Sequence, residues 1–410
     1  MAMQNAVASA GGIAALDPKV EARPMTRMPI LDKRDRVHGY KLLFESGADA
    51  SAPESRAAFA IERLARGLPA FVHCADPSTE NWVRHLPAKA TVLELAGDVA
   101  PTPELIAACR GLKASGFRLA LADFSSFQDA NPLLLDLADY FKLSLDRVDA
   151  GERRRLLDRM AGKRVLRIAG KVETQQDFKQ AAEEGFDLFE GYYFSRPNQV
   201  PGRKIPGNRM VHLEMLEVLQ RAPVDMERLS QLITCDAALT YRLLRLVNSP
   251  FCALRQEVTS IRSALLLLGE ATARRIATLA IGGDFNSGQP AEILRMAFVR
   301  ARFCELAGGP CGLIPSEQYL IGMVSMFPAM LGMSMKDLAQ WLPLREGARA
   351  ALLGDENAES ALLRWLAGNE SGSWARCQAI VQSGRLGSAQ LSACFADAVA
   401  WADGVVDTAA

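Results

Sequence analysis

Metal ligation and proton transfer at neutral pH fall first to histidine, cysteine and the carboxylates. This chain has eight cysteines (Cys74, Cys109, Cys235, Cys252, Cys304, Cys311, Cys377 and Cys394) and four histidines (His38, His73, His85 and His212). No two cysteines form a CxxC pair, so neither a zinc knuckle nor a thioredoxin-like dithiol is supported. Most of them sit among apolar residues, as small core hydrophobes do, and a reducing compartment is the simpler reading. There is no GxSxG elbow and no Walker loop. Gly282-Gly283-Asp284-Phe285 reads as a turn, and Arg153-Arg154-Arg155 and Arg274-Arg275 read as solvated helix faces. What remains is charged groups at the ends of apolar runs.

The elements that must position them follow from periodicity. Residues 27–197 alternate short apolar runs with helical patterns. The strand candidates are 28–31, 38–44, 70–74, 91–95, 118–122, 140–145, 164–168 and 187–189, bounded by Gly, Pro and Asp. Amphipathic segments at 54–66, 103–114, 152–160 and 175–184 lie between them. Alternating strand and helix implies a largely parallel sheet, and this many units fit a closed (β/α) barrel better than an open sheet. The run Pro197-Asn198-Gln199-Val200-Pro201-Gly202-Arg203-Lys204-Ile205-Pro206-Gly207 breaks any regular element. The expected organisation is a disordered segment at 1–26, the barrel at 27–200 and an all-helical domain at 201–410. In that second half Asp225 and Asp236 are placed to cap helices over 226–233 and 237–247. The second of these helices should stop at Asn248-Ser249-Pro250. Leu239, Leu243, Leu246 and Val247 share the face it must bury, and Trp341, Trp365, Trp374 and Trp401 are expected as core anchors.

Composition narrows the function classes. Lys plus Arg and Asp plus Glu are 47 each, a formal charge of zero, which argues against a nonspecific grip on nucleic acid. The first 26 residues have no basic residue before Lys19 and lack the apolar run of a signal peptide, and the longest strongly apolar stretch, 264–268, is far too short to span a bilayer. A cytoplasmic protein with no nucleic-acid and no membrane partner is expected.

Family resemblance adds what patterning cannot. The first half resembles the EAL domain, the bacterial phosphodiesterase module for cyclic di-GMP. The matching stretches are Met28-Pro29-Ile30-Leu31-Asp32, Gly39-Tyr40-Lys41-Leu42-Leu43-Phe44, Leu93-Glu94-Leu95, Leu121-Ala122-Asp123-Phe124 and Tyr140-Phe141-Lys142-Leu143. Ala169-Gly170-Lys171-Val172-Glu173-Thr174 and Glu190-Gly191-Tyr192-Tyr193-Phe194-Ser195-Arg196-Pro197 complete the order. The second half resembles the HDOD domain, a helical relative of the metal-dependent HD phosphohydrolases that lacks their metal ligands. Its strongest stretch is Leu243-Leu244-Arg245-Leu246-Val247-Asn248-Ser249-Pro250, followed by Ile261 to Gly269 and by Tyr319-Leu320-Ile321-Gly322-Met323-Val324-Ser325. The fold class this implies is α/β plus all-α, an EAL-type barrel followed by an HDOD domain.

The resemblance also implies which positions should carry chemistry. EAL hydrolysis uses two divalent cations held by oxygen ligands at the open end of the barrel. Glu94, Asp123, Lys142 and Glu173 are kept at family positions. The glutamate that names the motif is Lys41 here, and an ammonium has no lone pair for a metal. The asparagine ligand falls at His73, the first of the paired aspartates at Ala122, a further glutamate at Gly170, and the usual glutamine at Glu190. The arginine that contacts the ligand falls at Glu45, a carboxylate that would repel phosphate. A two-metal centre is therefore not expected. The survivors should pair with one another, with Lys142 bridging Asp123 and Glu94, and Lys41 is able to pair with Glu45. In the second half the single histidine, His212, cannot supply an HD-type ligand set. The expected protein is a non-catalytic signalling protein with no cofactor and no bound metal. It would act through protein partners, with the barrel as docking or dimerising platform and the interaction surface near residues 196–207. The alternatives are a sensor that binds cyclic di-GMP without cutting it, and an active phosphodiesterase.

Overall fold

A computed structural model describes residues 25–45, 61, 63–78, 81–97, 99–122, 124, 131–196, 210–221, 223–248, 258–286, 288–342, 344–383 and 386–409. The chain divides into two compact units, one built on Met25–Arg196 and the other on Pro197–Gly368 and Ser373–Ala410. Of the segment expected to be disordered, 1–26, residues 1–24 lie outside the described residues, and Met25 and Thr26 correct the expectation by opening the first strand. The expected interaction surface at 196–207 lies outside them too, apart from Arg196.

Eight strands close the first unit into a barrel in sequence order: β1 (Met25–Asp32), β2 (Val37–Phe44), β3 (Ala70–His73), β4 (Thr91–Ala96), β5 (Arg118–Ala122), β6 (Tyr140–Ser144), β7 (Leu166–Gly170) and β8 (Leu188–Glu190). Each matches an apolar run that the sequence marks. The sheet departs from the expected parallel order at one place: β1 runs antiparallel to both β2 and β8. The reason is local. The link from Asp32 to Val37 is far too short for a crossover, which takes a dozen or more residues. Asp32 Oδ1 accepts from the amides of Arg34 (2.8 Å) and Arg36 (3.0 Å), and Asp35 turns through φ 56°. The chain therefore doubles back as a hairpin.

Side-chain alternation along these strands stacks the barrel interior in layers drawn from alternate strands. Ile30, Phe71, Ala120 and Ile168 of the odd strands, with Val92, Tyr140 and Leu188 of the even ones, make the apolar floor. Two residues further along the even strands stand Lys41, Glu94, Lys142 and, on β8, Glu190. Described helices cover the outside: α1 (Pro103–Ala114), α2 (Pro132–Leu135), α3 (Ala150–Arg159) and α4 (Gln175–Glu184). Their first turns are closed by Thr102, Asn131, Asp149 and a reciprocal Thr174–Asp177 capping box.

The second unit is helical throughout its described residues: α5 (Met210–Gln220), α6 (Met226–Thr234), α7 (Ala237–Val247), α8 (Ile261–Phe285), α9 (Ala291–Gly308), α10 (Pro315–Val324), α11 (Phe327–Leu331), α12 (Met335–Trp341), α13 (Glu346–Leu353), α14 (Ala358–Glu370), α15 (Trp374–Ser383) and α16 (Ser388–Ala409). Asp225 and Asp236 cap as expected, accepting from Arg228 N (2.9 Å) and Leu239 N (3.0 Å). Leu239, Leu243 and Val247 are fully buried. Asn248 does more than end α7. Its side chain both donates to Val258 O (2.9 Å) and accepts from Val258 N (2.8 Å), fixing where the chain re-enters before α8.

Four sequence expectations need correction. Arg153 is not solvated: it is 5 % exposed, forks onto Glu184 at 2.9 and 2.8 Å, and donates to Val148 O at 2.6 Å. Arg274 is likewise buried at 4 % and donates to Arg221 O and Glu270. A charge run shows polarity, but helix phase puts one guanidinium inward, where carboxylates and carbonyls meet it. Gly282 to Phe285 is the last turn of α8 and not an isolated turn; Gly282 lets Met323 and Phe298 pack close. Trp341 is 53 % exposed, whereas Trp365 is fully buried and stacks on Phe303 at 5.0 Å. Among the described residues no disulfide forms and no single helix is long and apolar enough to cross a membrane.

Candidate functional site

The charged layer at the barrel mouth is a closed ion network. Lys142 Nζ donates to Glu94 Oε1 at 2.7 Å and to Glu190 Oε2 at 2.6 Å. Lys41 Nζ lies 3.2 Å from Glu94 Oε2 and 3.8 Å from Glu190 Oε1. Glu94, Lys142 and Glu190 are 2, 3 and 6 % exposed. Each comes from a different strand, and barrel closure alone brings them together. The two carboxylates and two ammonium groups balance in charge, as a site with little access to water requires.

The electrostatics follow from that packing. Burial alone would raise the Glu94 carboxyl. The ammonium charges of Lys142 and Lys41, with their hydrogen bonds, outweigh it and hold the carboxyl at about 2. Burial alone would lower Lys142, but Glu190 and Glu94 reverse this and push the ammonium up, so it stays charged.

The next layer toward the mouth holds the other family positions. Strand parity places His73 on β3, Ala122 on β5 and Gly170 on β7 there. His73 is exposed, while Ala122 is fully buried. At Gly170 a Cβ would stand 3.0 Å from Lys142 Cε and 3.3 Å from Ser144 Oγ, so the lysine stem fills the space a glutamate would need. Glu173, on the loop after β7, pairs with Arg196 and is not part of the network. Glu45 is half-buried just beyond β2. Asp123 lies outside the described residues.

The sequence-predicted residues thus separate into groups. Lys41, Glu94, Lys142 and Glu190 converge; His73, Ala122 and Gly170 ring the mouth above them; Glu173 stands apart. Glu94–Lys142 pairing is as expected, the expected contact of Lys142 with Asp123 lies outside the described residues, Lys142 also pairs with Glu190, and Lys41 turns inward to the same two carboxylates. The importance of Glu190 was missed. The parity of the even strands carries the signal, since Glu190 is the even-strand residue that completes the layer. The histidines do not assemble in the barrel: His38 sits at the start of β2, its Nε2 3.1 Å from Tyr140 Oη, where burial and the Arg118 charge lower its pKa.

Backbone geometry holds the Glu190 end in place. The Val172 amide donates to Glu190 O (3.0 Å), and the Tyr193 amide donates back to Val172 O (3.1 Å). Gly191 lies between them, and a Cβ there would fall 2.1 Å from Val172 O. The Glu190-Gly191-Tyr192 sequence is therefore a backbone clamp on one wall of the network.

What the arrangement can do chemically is limited. Both oxygens of the retained Glu94 face ammonium groups, and a divalent cation placed there would meet two like charges. The described mouth offers anion-attracting charge in Lys41 but no cluster of free oxygens for two metals.

Comparison with known proteins agrees with the order of elements. Residues 205–322 match the HDOD domain. An uncharacterised protein of Bacillus subtilis, YuxH, is 29 % identical over 405 residues, covering 93 % of this chain and 98 % of its own. The cyclic di-GMP phosphodiesterase CdgJ of Vibrio cholerae is 29 % identical over 361 residues, 83 % of each chain. Among solved structures, a standalone EAL protein of Vibrio cholerae O395 with c-di-GMP bound aligns at 18 % identity and TM-score 0.34 over 44 % of this chain and 92 % of its own. The FimX EAL domain of Pseudomonas aeruginosa bound to c-di-GMP aligns at 14 % and 0.35 over 47 % and 93 %. With the motifs of its first half in EAL order and residues 205–322 matched to HDOD, the chain is an EAL-like barrel joined to an HDOD domain.

Proposed function

We propose that this chain is a non-catalytic signalling protein of the cytoplasm that works by binding other proteins. The observation that carries the reading is the position of Lys41 and Lys142. Both ammonium groups lie on Glu94, where hydrolysis of cyclic di-GMP would require metal cations. A lysine cannot ligate, and its charge opposes a cation beside it. Ala122 and Gly170 supply no oxygen to compensate. The barrel would serve as a docking or dimerising platform and the HDOD domain would engage a signalling partner. Neither nucleic acid nor a membrane is a partner in this reading, and no cofactor is used.

One observation favours a second reading. The relative CdgJ, aligned over 83 % of this chain, is named a cyclic di-GMP phosphodiesterase. Turnover separates the two. Purified full-length protein with Mg²⁺ or Mn²⁺ should yield no linear product from cyclic di-GMP; turnover that disappears in Glu94→Ala would establish the enzyme instead. Calorimetry with cyclic di-GMP addresses the sensor alternative. Micromolar binding abolished by Asp123→Ala would favour a nucleotide sensor over a protein-binding platform.

A further inference from the structure

Three side chains of the helical unit meet in a way the barrel reading does not use. His212 of α5, Asp236 at the start of α7 and Asp284 in the last turn of α8 bring one ring nitrogen and one oxygen from each carboxylate within 4.8 Å of one another. His212 Nε2 is 3.6 Å from Asp236 Oδ2, and its Nδ1 is 3.5 Å from Asp284 Oδ2. These separations are too long for hydrogen bonds. Only one ring nitrogen can ligate a given cation, so the ion would be shared between that nitrogen and the carboxylate facing it, and the other carboxylate, with an oxygen within 4.8 Å of both donors, closes the set; metal–ligand bonds of about 2.0–2.2 Å leave tetrahedral donors roughly 3.4 Å apart. We infer that His212, Asp236 and Asp284 form a binding site for one first-row divalent cation, of the Mn²⁺ or Zn²⁺ class, that joins three helices of the HDOD domain.

The surroundings are those of a prepared site. Each carboxylate is oriented through its other oxygen: Asp236 Oδ1 accepts from Leu239 N at 3.0 Å, and Asp284 Oδ1 from the Arg242 guanidinium. Such outer bonds fix ligands for a metal. The His212 ring is 1 % exposed and is held edge-on against Phe285, centroids 5.6 Å apart. The carboxylates are partly open, at 28 and 21 % side-chain exposure, which provides an entry path. Asp284 also lies at the C-terminal end of a long helix, where the backbone dipole favours a cation. One imidazole nitrogen with carboxylate oxygens suits Mn²⁺ or Zn²⁺, with remaining positions left for water.

Full-length protein stripped with chelator and titrated with MnCl₂ tests this, with bound metal read by the loss of the free-ion paramagnetic signal. Mn²⁺ is the probe because the chain's thiols compete for it weakly. One saturable equivalent is expected, together with a rise of several degrees in the melting midpoint at about a hundredfold excess over Kd. His212→Gln should weaken binding at least tenfold. Asp236→Asn is the second variant. Asparagine keeps the helix cap, so the fold is retained while a ligand charge is lost, and the same loss of at least tenfold is expected. Absence of saturable binding to the full chain, or equal affinity in Asp236→Asn and the parent, would overturn the site.

Discussion

Glu94 and Lys142 show how far an isolated residue can be read. Each charge is stabilised by the opposite charges around it, and deleting Lys142 leaves two buried carboxylates to share Lys41, an unbalanced buried charge. Lys142→Met should therefore destabilise the protein by about 3–5 kcal/mol in urea denaturation, with Lys142→Met/Glu94→Met costing less than the sum of the two single changes. The same pairing sets an acid limit. The Glu94 carboxyl is held at about 2 in the folded barrel, below its unfolded value of 4.5. A depressed carboxylate pKa contributes stability above the unfolded value, and that contribution is lost as pH falls through the folded one. Melting midpoints should fall between pH 4.5 and about 2, and Glu94→Gln should flatten the decline in that window. A profile identical in parent and variant would show that other carboxylates set the limit. The four residues of this network were all marked as family positions from sequence, two as kept and two as lost. That Lys41 and Glu190 complete one network with the survivors was not legible, because Lys142 lies 48 positions from both Glu94 and Glu190 along the chain.

At the scale of elements, local signals were strong. Alternation and turn residues marked all eight strands, and Asp225 and Asp236 marked the starts of their helices. Charge runs misled because polarity says nothing of helix phase. Arg153 turns inward to Glu184, while its neighbours Arg154 and Arg155 stay exposed. The Asn-Ser-Pro motif reads as a helix stop, yet the asparagine also holds the backbone of Val258 from both sides. Asn248→Ala removes two hydrogen bonds while the valine amide and carbonyl persist. The expected cost is roughly 1–3 kcal/mol, read as a lower urea midpoint with an unchanged m-value. Asn248→Asp, which can still accept from the Val258 amide, should recover part of it.

The whole molecule combines two architectures under zero net charge. With 47 basic and 47 acidic side chains, phosphate backbone gains little from it. Random duplex DNA should not be shifted by the full-length chain at physiological salt; retention that weakens steeply as salt rises would contradict this. Sequence by itself determined the class of each half, the number of strands, and the residue types at positions 41, 122 and 170, because periodicity and residue type are local properties. The tertiary structure decided which of the charged residues meet. Barrel closure put two lysines onto two glutamates, and helix packing set His212 between Asp236 and Asp284. Pairing of this kind depends on distances across the fold, and the order of residues along a chain does not contain those distances until the strands and helices have closed.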